Sequence, residues 1–182
     1  MKKDYKLYNM ILPPFMLMFM APLLLAITLA GNFIIDSIVL LAVSLFVFRK
    51  IDWNFYGKNI FKVWGLGFAG DIVGVIFLNI LGEIGYFYIN TNHTDKSFPY
   101  SLFNSMNNVL NHSYEVTPYT TGILISGIVV AAVSIFMFNY FISFRKATSV
   151  YGFTRTQRAL ASLAFAVVTA PYTFLLPYEL FY

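Results

Sequence analysis

Apolar runs long enough to cross a membrane, separated mostly by short links rich in Lys and Arg, constrain this chain more than any other feature. They lie at about residues 10–30, 32–48, 61–84, 119–144 and 158–176. A helix needs ~20 apolar residues to cross a ~30 Å hydrocarbon layer. In lipid every backbone N–H and C=O must also be paired within the segment, which a helix achieves alone. The fold class that follows is all-α: a polytopic membrane helix bundle with five transmembrane helices, one domain over residues 1–182. Composition agrees. The chain is 59% hydrophobic and 11% charged, against roughly 25% charged in a soluble domain, which is too little to cover a water-facing surface.

The basic residues orient the bundle. With the N-terminus cytoplasmic and the C-terminus outside, the inner segments hold Lys2, Lys3, Lys6, Arg49, Lys50, Lys58, Lys62, Arg145, Lys146, Arg155 and Arg158. Only Lys96 falls outside, which satisfies the positive-inside rule and accounts for the net charge of +4. The charge therefore needs no nucleic acid as partner; the expected partner is the lipid bilayer. Trp53 and Tyr56, in the link at 49–59, read as anchors at the headgroup level. The absence of cysteine removes disulfides, thiol nucleophiles and thiolate metal sites.

In the first run Pro13 and Pro14 suit the first helical turn, and Pro22 predicts a kink because it offers no N–H to the Met18 carbonyl. The rival reading is a cleaved signal peptide ending at Thr28-Leu29-Ala30. Gly31 and Asn32 then break the run. Asp36 falls about one turn into the second helix, at a depth of ~6 Å. There an acid near a helix N-terminus is favoured by the macrodipole, and it joins a deeper site only if its helix packs beside the third.

The third run carries the most informative letters. Gly65, Gly67, Gly70, Asp71, Gly74, Asn79, Gly82, Glu83 and Gly85 stand among Val, Ile, Leu and Phe. Counted from Phe61, Asp71 lies ~15 Å into the span, near the membrane midplane. Gly67, Asp71 and Gly74 share one helical face, and Gly70 and Gly74 form a small-xxx-small pair that admits a neighbouring helix closely. Asp71 is thus expected to face protein or a cavity. No Lys or Arg lies at comparable depth, and an ionisable group in hydrocarbon marks function by default, so Asp71 reads either as a site that takes a proton or a cation or as a protonated acid that hydrogen-bonds across a helix interface and locks the bundle.

Residues 89–118 form the one long loop, rich in Asn and holding both histidines. Its residues 98–110 have helical apolar spacing, which predicts an amphipathic segment on the membrane or over a pore mouth. Asn92-His93-Thr94 and Asn111-His112-Ser113 match the glycosylation sequon. His93, Asp95, His112 and Glu115 fit no compact zinc-ligand spacing, so neither metal nor cofactor is expected. In the fourth run Gly127, Ala131 and Ser134 make a small packing face, and Asn139 is expected to find a partner on another helix. In the fifth, Pro171 leaves the Val167 carbonyl without its usual donor, and a kink or broken helix follows.

Three stretches carry a resemblance: Asn32-Phe33-Ile34-Ile35-Asp36-Ser37, Gly70-Asp71-Ile72-Val73-Gly74, and Thr169-Ala170-Pro171-Tyr172 with Leu175-Leu176-Pro177. Together they resemble small uncharacterised integral membrane proteins of anaerobic Firmicutes, over most of the chain. The resemblance implies a bacterial plasma membrane and no activity.

No nucleophile elbow, phosphate loop, HExxH or compact acid pair is present, so no catalytic residue is assigned. The intramembrane polar set is Asp71, Asp36, Asn79, Asn139 and Glu83, with Pro22 and Pro171 opening backbone carbonyls nearby. Two functions are expected from it. One is a small transporter, channel or membrane subunit of a transport complex, moving a proton, a cation or a small cationic substrate. The other is a scaffold or assembly subunit that binds a membrane-protein partner, or a second copy, through its glycine face.

Overall fold

The structure, a computed structural model, describes residues 22–91, 98–110 and 117–175. Its regular structure there is all helical, joined by short links: α1 Pro22–Phe48, α2 Trp53–Thr91, α3 Phe98–Leu110, α4 Pro118–Phe138, a π-helical turn Asn139–Ser143, α5 Ala147–Tyr151, α6 Arg155–Val168 and a 3-10 turn Tyr172–Leu175. Among the described residues four helices are long and apolar enough to cross a membrane: Ala26–Phe48, Trp53–Thr91, Pro118–Ser143 and Arg155–Leu175. The expected basic N-terminus, the start of the first run, the sequons, the loop histidines with Asp95, Lys96 and Glu115, and the C-terminal tail lie outside the described residues.

The first boundary differs from the expectation. Gly31 and Asn32 do not break the helix; α1 runs through both. A glycine costs a helix interior about 1 kcal/mol, but opening the backbone in hydrocarbon strands several N–H and C=O groups at greater cost. The turn comes instead at Arg49–Asp52. Arg49 takes a left-handed φ of 58°. Ser44 Oγ donates to the Lys50 carbonyl at 3.2 Å and accepts from the Asp52 amide at 2.9 Å. Asp52 Oδ1 then accepts from the Phe55 amide at 2.9 Å, which starts α2 at Trp53 rather than near Phe61. Most of the expected link at 49–59 is therefore helix.

At 39 residues, α2 extends about 58 Å, roughly twice the hydrocarbon thickness, and so reaches beyond it. It is the central post. α4 crosses it antiparallel and closely: a β-carbon on Gly70 would stand 3.1 Å from the Ile135 amide, and one on Gly74 2.8 Å from Ala131 Cβ and 3.0 Å from the Gly127 carbonyl. Leu78 occupies the space over Gly127. α3 lies against the far end of α2, where Gly85 admits the α3 backbone around Phe103 and Asn107 and Tyr88 stacks on Phe103 at 3.9 Å.

α4 begins at a Thr117 cap, whose Oγ1 accepts from the Thr120 amide at 3.1 Å, with Pro118 in the first turn where no N–H is needed. α6 begins at a reciprocal capping box between Thr154 and Gln157. The main core sits where the short links gather, built from Leu40, Phe55, Val63, Ile135, Phe144, Phe153 and Phe165. Outward, Ile34, Ile38, Ile76, Ile80, Val129 and Val133 are exposed. An apolar exterior on long helices is a lipid-facing surface, and the chain is an integral membrane protein with several spans.

Candidate functional site

The continuity of α1 moves Asp36. It is the fifteenth described residue of that helix, about 21 Å from Pro22, not one turn from an N-terminus. The macrodipole reading of Asp36 is thereby replaced by a mid-helix acid. Asp36 is 3% exposed. Its Oδ2 lies over Gly67 of α2, 3.8 Å from where a β-carbon would stand. Asp71 follows one turn later on that face, near the middle of α2, and the two carboxyls are close enough to interact electrostatically. Gly67 opens the gap: a β-carbon there would just touch the Asp36 carboxylate, and a side chain much longer than Ala would enter the space between α1 and α2.

Among the described residues no group pairs with the buried oxygen of either acid. The Oδ1 atoms of Asp36 and Asp71 are both buried without a hydrogen-bond partner. Buried polar atoms are paired in the great majority of cases, and each exception asks for a cause. The nearest cation along α2 is Lys62, which is exposed and about 14 Å from Asp71 along the axis. Aromatic rings close the neighbourhood: Phe33 meets Trp64 edge-on at 5.9 Å, and Trp64 Nε1 donates to the Leu29 carbonyl at 3.3 Å. Ser37, beside Asp36, turns instead to the Phe33 carbonyl at 2.7 Å and the Tyr56 hydroxyl at 3.0 Å.

The other polar residues are placed differently. Asn79 Nδ2 donates to the Val75 carbonyl at 2.8 Å, and Ser134 Oγ to the Val130 carbonyl at 2.9 Å, each one turn back on its own helix. Asn139 is fully buried and likewise donates to the Ile135 carbonyl at 3.1 Å, not to another helix as expected; its Oδ1 is without a partner. Glu83 is exposed and about 18 Å along α2 from Asp71. The structure thus brings Asp36 and Asp71 together and leaves Asn79 and Glu83 further along α2.

At the prolines, Pro22 is the first described residue of α1, and Met18, on which the kink depends, lies outside the described residues. Pro171 does end a helix: α6 stops at Val168 and a 3-10 turn follows. The Val167 carbonyl freed by the proline accepts from the Tyr172 hydroxyl at 2.5 Å. Past the break Phe174 reaches Gly74 of α2, 3.4 Å from its β-carbon position.

Among the described residues the pair has no counter-ion, and a carboxyl in hydrocarbon is stable only when protonated or paired with a cation. That is the chemistry the arrangement offers. Compared with protein-family models, with curated proteins and with solved structures, the chain matches none.

Proposed function

We propose that this membrane protein is a small transporter or channel, or the membrane subunit of a transport complex, with Asp36 and Asp71 as its proton- or cation-binding pair. The observation that carries the reading is the pair itself: two carboxyls on facing helices, each with a buried oxygen that no protein group satisfies. A structural role for either acid would be expected to show a hydrogen bond across the helix interface. The basic ends of the helices, from Arg49 to Lys62 and from Arg145 to Arg158, face the cytoplasm in this reading, as the positive-inside rule requires. A cytoplasmic N-terminus with the C-terminus outside, as read from the sequence, needs an odd number of crossings, one more than the four long apolar helices among the described residues. The bacterial plasma membrane rests on the resemblance of the Asp36, Asp71 and Pro171 stretches.

The scaffold reading has less support. Its glycine face on α2 is occupied within the chain, by Ile135 at Gly70 and by Ala131 and Gly127 at Gly74. A partner helix would have to use another surface.

The test is flux. The purified protein in proteoliposomes is expected to dissipate an imposed proton or monovalent-cation gradient, and Asp71→Asn to abolish it. Flux unchanged in Asp71→Asn removes Asp71 as the site, and no flux from the unmodified protein removes transport by the isolated chain.

A further inference from the structure

A second polar feature lies at the basic end of the bundle, away from the acid pair. There a cleft of about 480 Å³ opens between the first turns of α2 and the chain that leaves α4. Lys58 and Lys62, one turn apart on α2, line one wall, and Arg145 and Lys146 line the other. Asn59, Ser143 and Tyr151 also line it, Asn59 Nδ2 donating to the Phe55 carbonyl at 2.8 Å, and among the described residues no carboxylate does. The acid of the adjoining link, Asp52, caps α2 and lies near enough to act electrostatically on Tyr151, which lines the cleft.

The π-helical turn supplies three of the lining residues, Phe141, Ile142 and Ser143. Its signature bond runs from the Phe144 amide to the Asn139 carbonyl at 2.9 Å, five residues back. The extra residue directs Ser143 and Phe144 inward. Phe144 stacks on Phe55 at 6.2 Å and on Phe153 at 6.3 Å, and Ser143 is left with a buried Oγ that has no partner. The chain then turns back through Arg145 and Lys146 into α5, which Gly152 ends in a left-handed conformation at φ 72°. The four cations therefore project from a fixed framework, two from each wall.

The cleft is not uniformly polar. Phe141, Ile142 and Val150 line it and are 52%, 54% and 58% exposed. A free inorganic ion would have no use for that apolar rim, whereas a lipid would place its phosphate among the cations and its glycerol and acyl chain against the rim. Basic pockets between membrane helices on the cytoplasmic side recognise anionic headgroups in this way.

We infer that the Lys58–Lys62–Arg145–Lys146 cleft binds the phosphate of an anionic phospholipid from the leaflet at the basic end of the bundle. The site is independent of the Asp36–Asp71 reading and holds whether or not the protein transports.

The experiment uses the full chain in a non-ionic detergent free of phospholipid, titrated separately with phosphatidylglycerol, with phosphatidylcholine of the same acyl chains, and with inorganic phosphate. Binding is read by native mass spectrometry and by the shift in thermal unfolding. Phosphatidylglycerol is expected to bind at least about tenfold more tightly than phosphatidylcholine, and the double variants K58Q/K62Q and R145Q/K146Q each to lose about tenfold of that preference. All four side chains are exposed, so the variants are expected to fold. K50Q/R155Q, which removes two cations outside the cleft, is expected to keep the preference. Equal loss in K50Q/R155Q would reduce the effect to general surface charge and overturn the site. No preference in the unmodified protein would overturn it too. Inorganic phosphate displacing the lipid at equal concentration would show a free-phosphate site and overturn the lipid assignment.

Discussion

Gly67 lies directly beneath the Asp36 carboxylate, with a β-carbon position 3.8 Å from Oδ2. That is ordinary van der Waals distance, so Gly67→Ala is expected to fold, with stability unchanged or raised by up to about 1 kcal/mol from helix propensity. Gly70→Ala differs, because its β-carbon would stand 3.1 Å and 3.3 Å from the Ile135 amide and Cα, and backbone cannot swing aside. Overpacking of this kind costs about 1–3 kcal/mol. Thermal unfolding of the two variants in one detergent checks the order, and Gly70→Ala as stable as Gly67→Ala would contradict the close α2–α4 contact.

The unpartnered oxygens give the acid pair a second test, on stability rather than flux. Since Asp36 Oδ1 and Asp71 Oδ1 make no hydrogen bond, replacing both acids with Leu removes a cost and breaks no bond. The double variant is expected to gain about 1–3 kcal/mol while losing any flux. A group kept at a cost to stability is retained for what it does. If the Leu variants melt lower than the parent, the acids hold the bundle together and the locking role is correct.

How much of this was legible in the sequence depends on which force decided each feature. Helical membrane character follows from hydropathy alone, and the close approach at Gly70 and Gly74 from their four-residue spacing. Asp71 stood out because an acid in such a run has no cheap explanation. The sequence puts Asp36 near a helix start because Gly31 and Asn32 are turn letters in water, while in lipid the backbone's demand for partners keeps the helix going. The start of α2 was hidden for a related reason: Trp53–Asn59 looks polar along the sequence, but Asp52 caps it and Phe55 packs into the core. The π-helical turn had no readable signal. Phe144, just past it, stacks on Phe153 nine residues on and on Phe55 far back in the chain, and the second contact cannot be read from local sequence.

Reactivity distinguishes the two acids. A hydrophobic carbodiimide modifies protonated carboxyls that it reaches from the membrane. Asp36 is 3% exposed, whereas Asp71 is only partly buried. Label is expected on Asp71 ahead of Asp36, located by mass spectrometry of proteolytic peptides, and a bound cation is expected to slow it. Modification of Asp36 first would mean that the gap between α1 and α2 opens on the other side of the pair.

The break at Pro171 supplies a prediction with an internal control. Proline removes the N–H that would serve the Val167 carbonyl, and Tyr172 serves it instead through its hydroxyl at 2.5 Å. Tyr172→Phe is therefore expected to cost about 0.5–1.5 kcal/mol, the usual net worth of one hydrogen bond. Pro171→Ala restores an N–H at the position that ordinarily bonds residue 167, so in that background the tyrosine hydroxyl is redundant. A double-mutant cycle by thermal unfolding should show Tyr172→Phe costing less on Pro171→Ala than on the parent. Strict additivity would mean that the hydroxyl and the missing amide do not serve the same carbonyl, and that the chain is turned toward Gly74 by the packing of Phe174 alone.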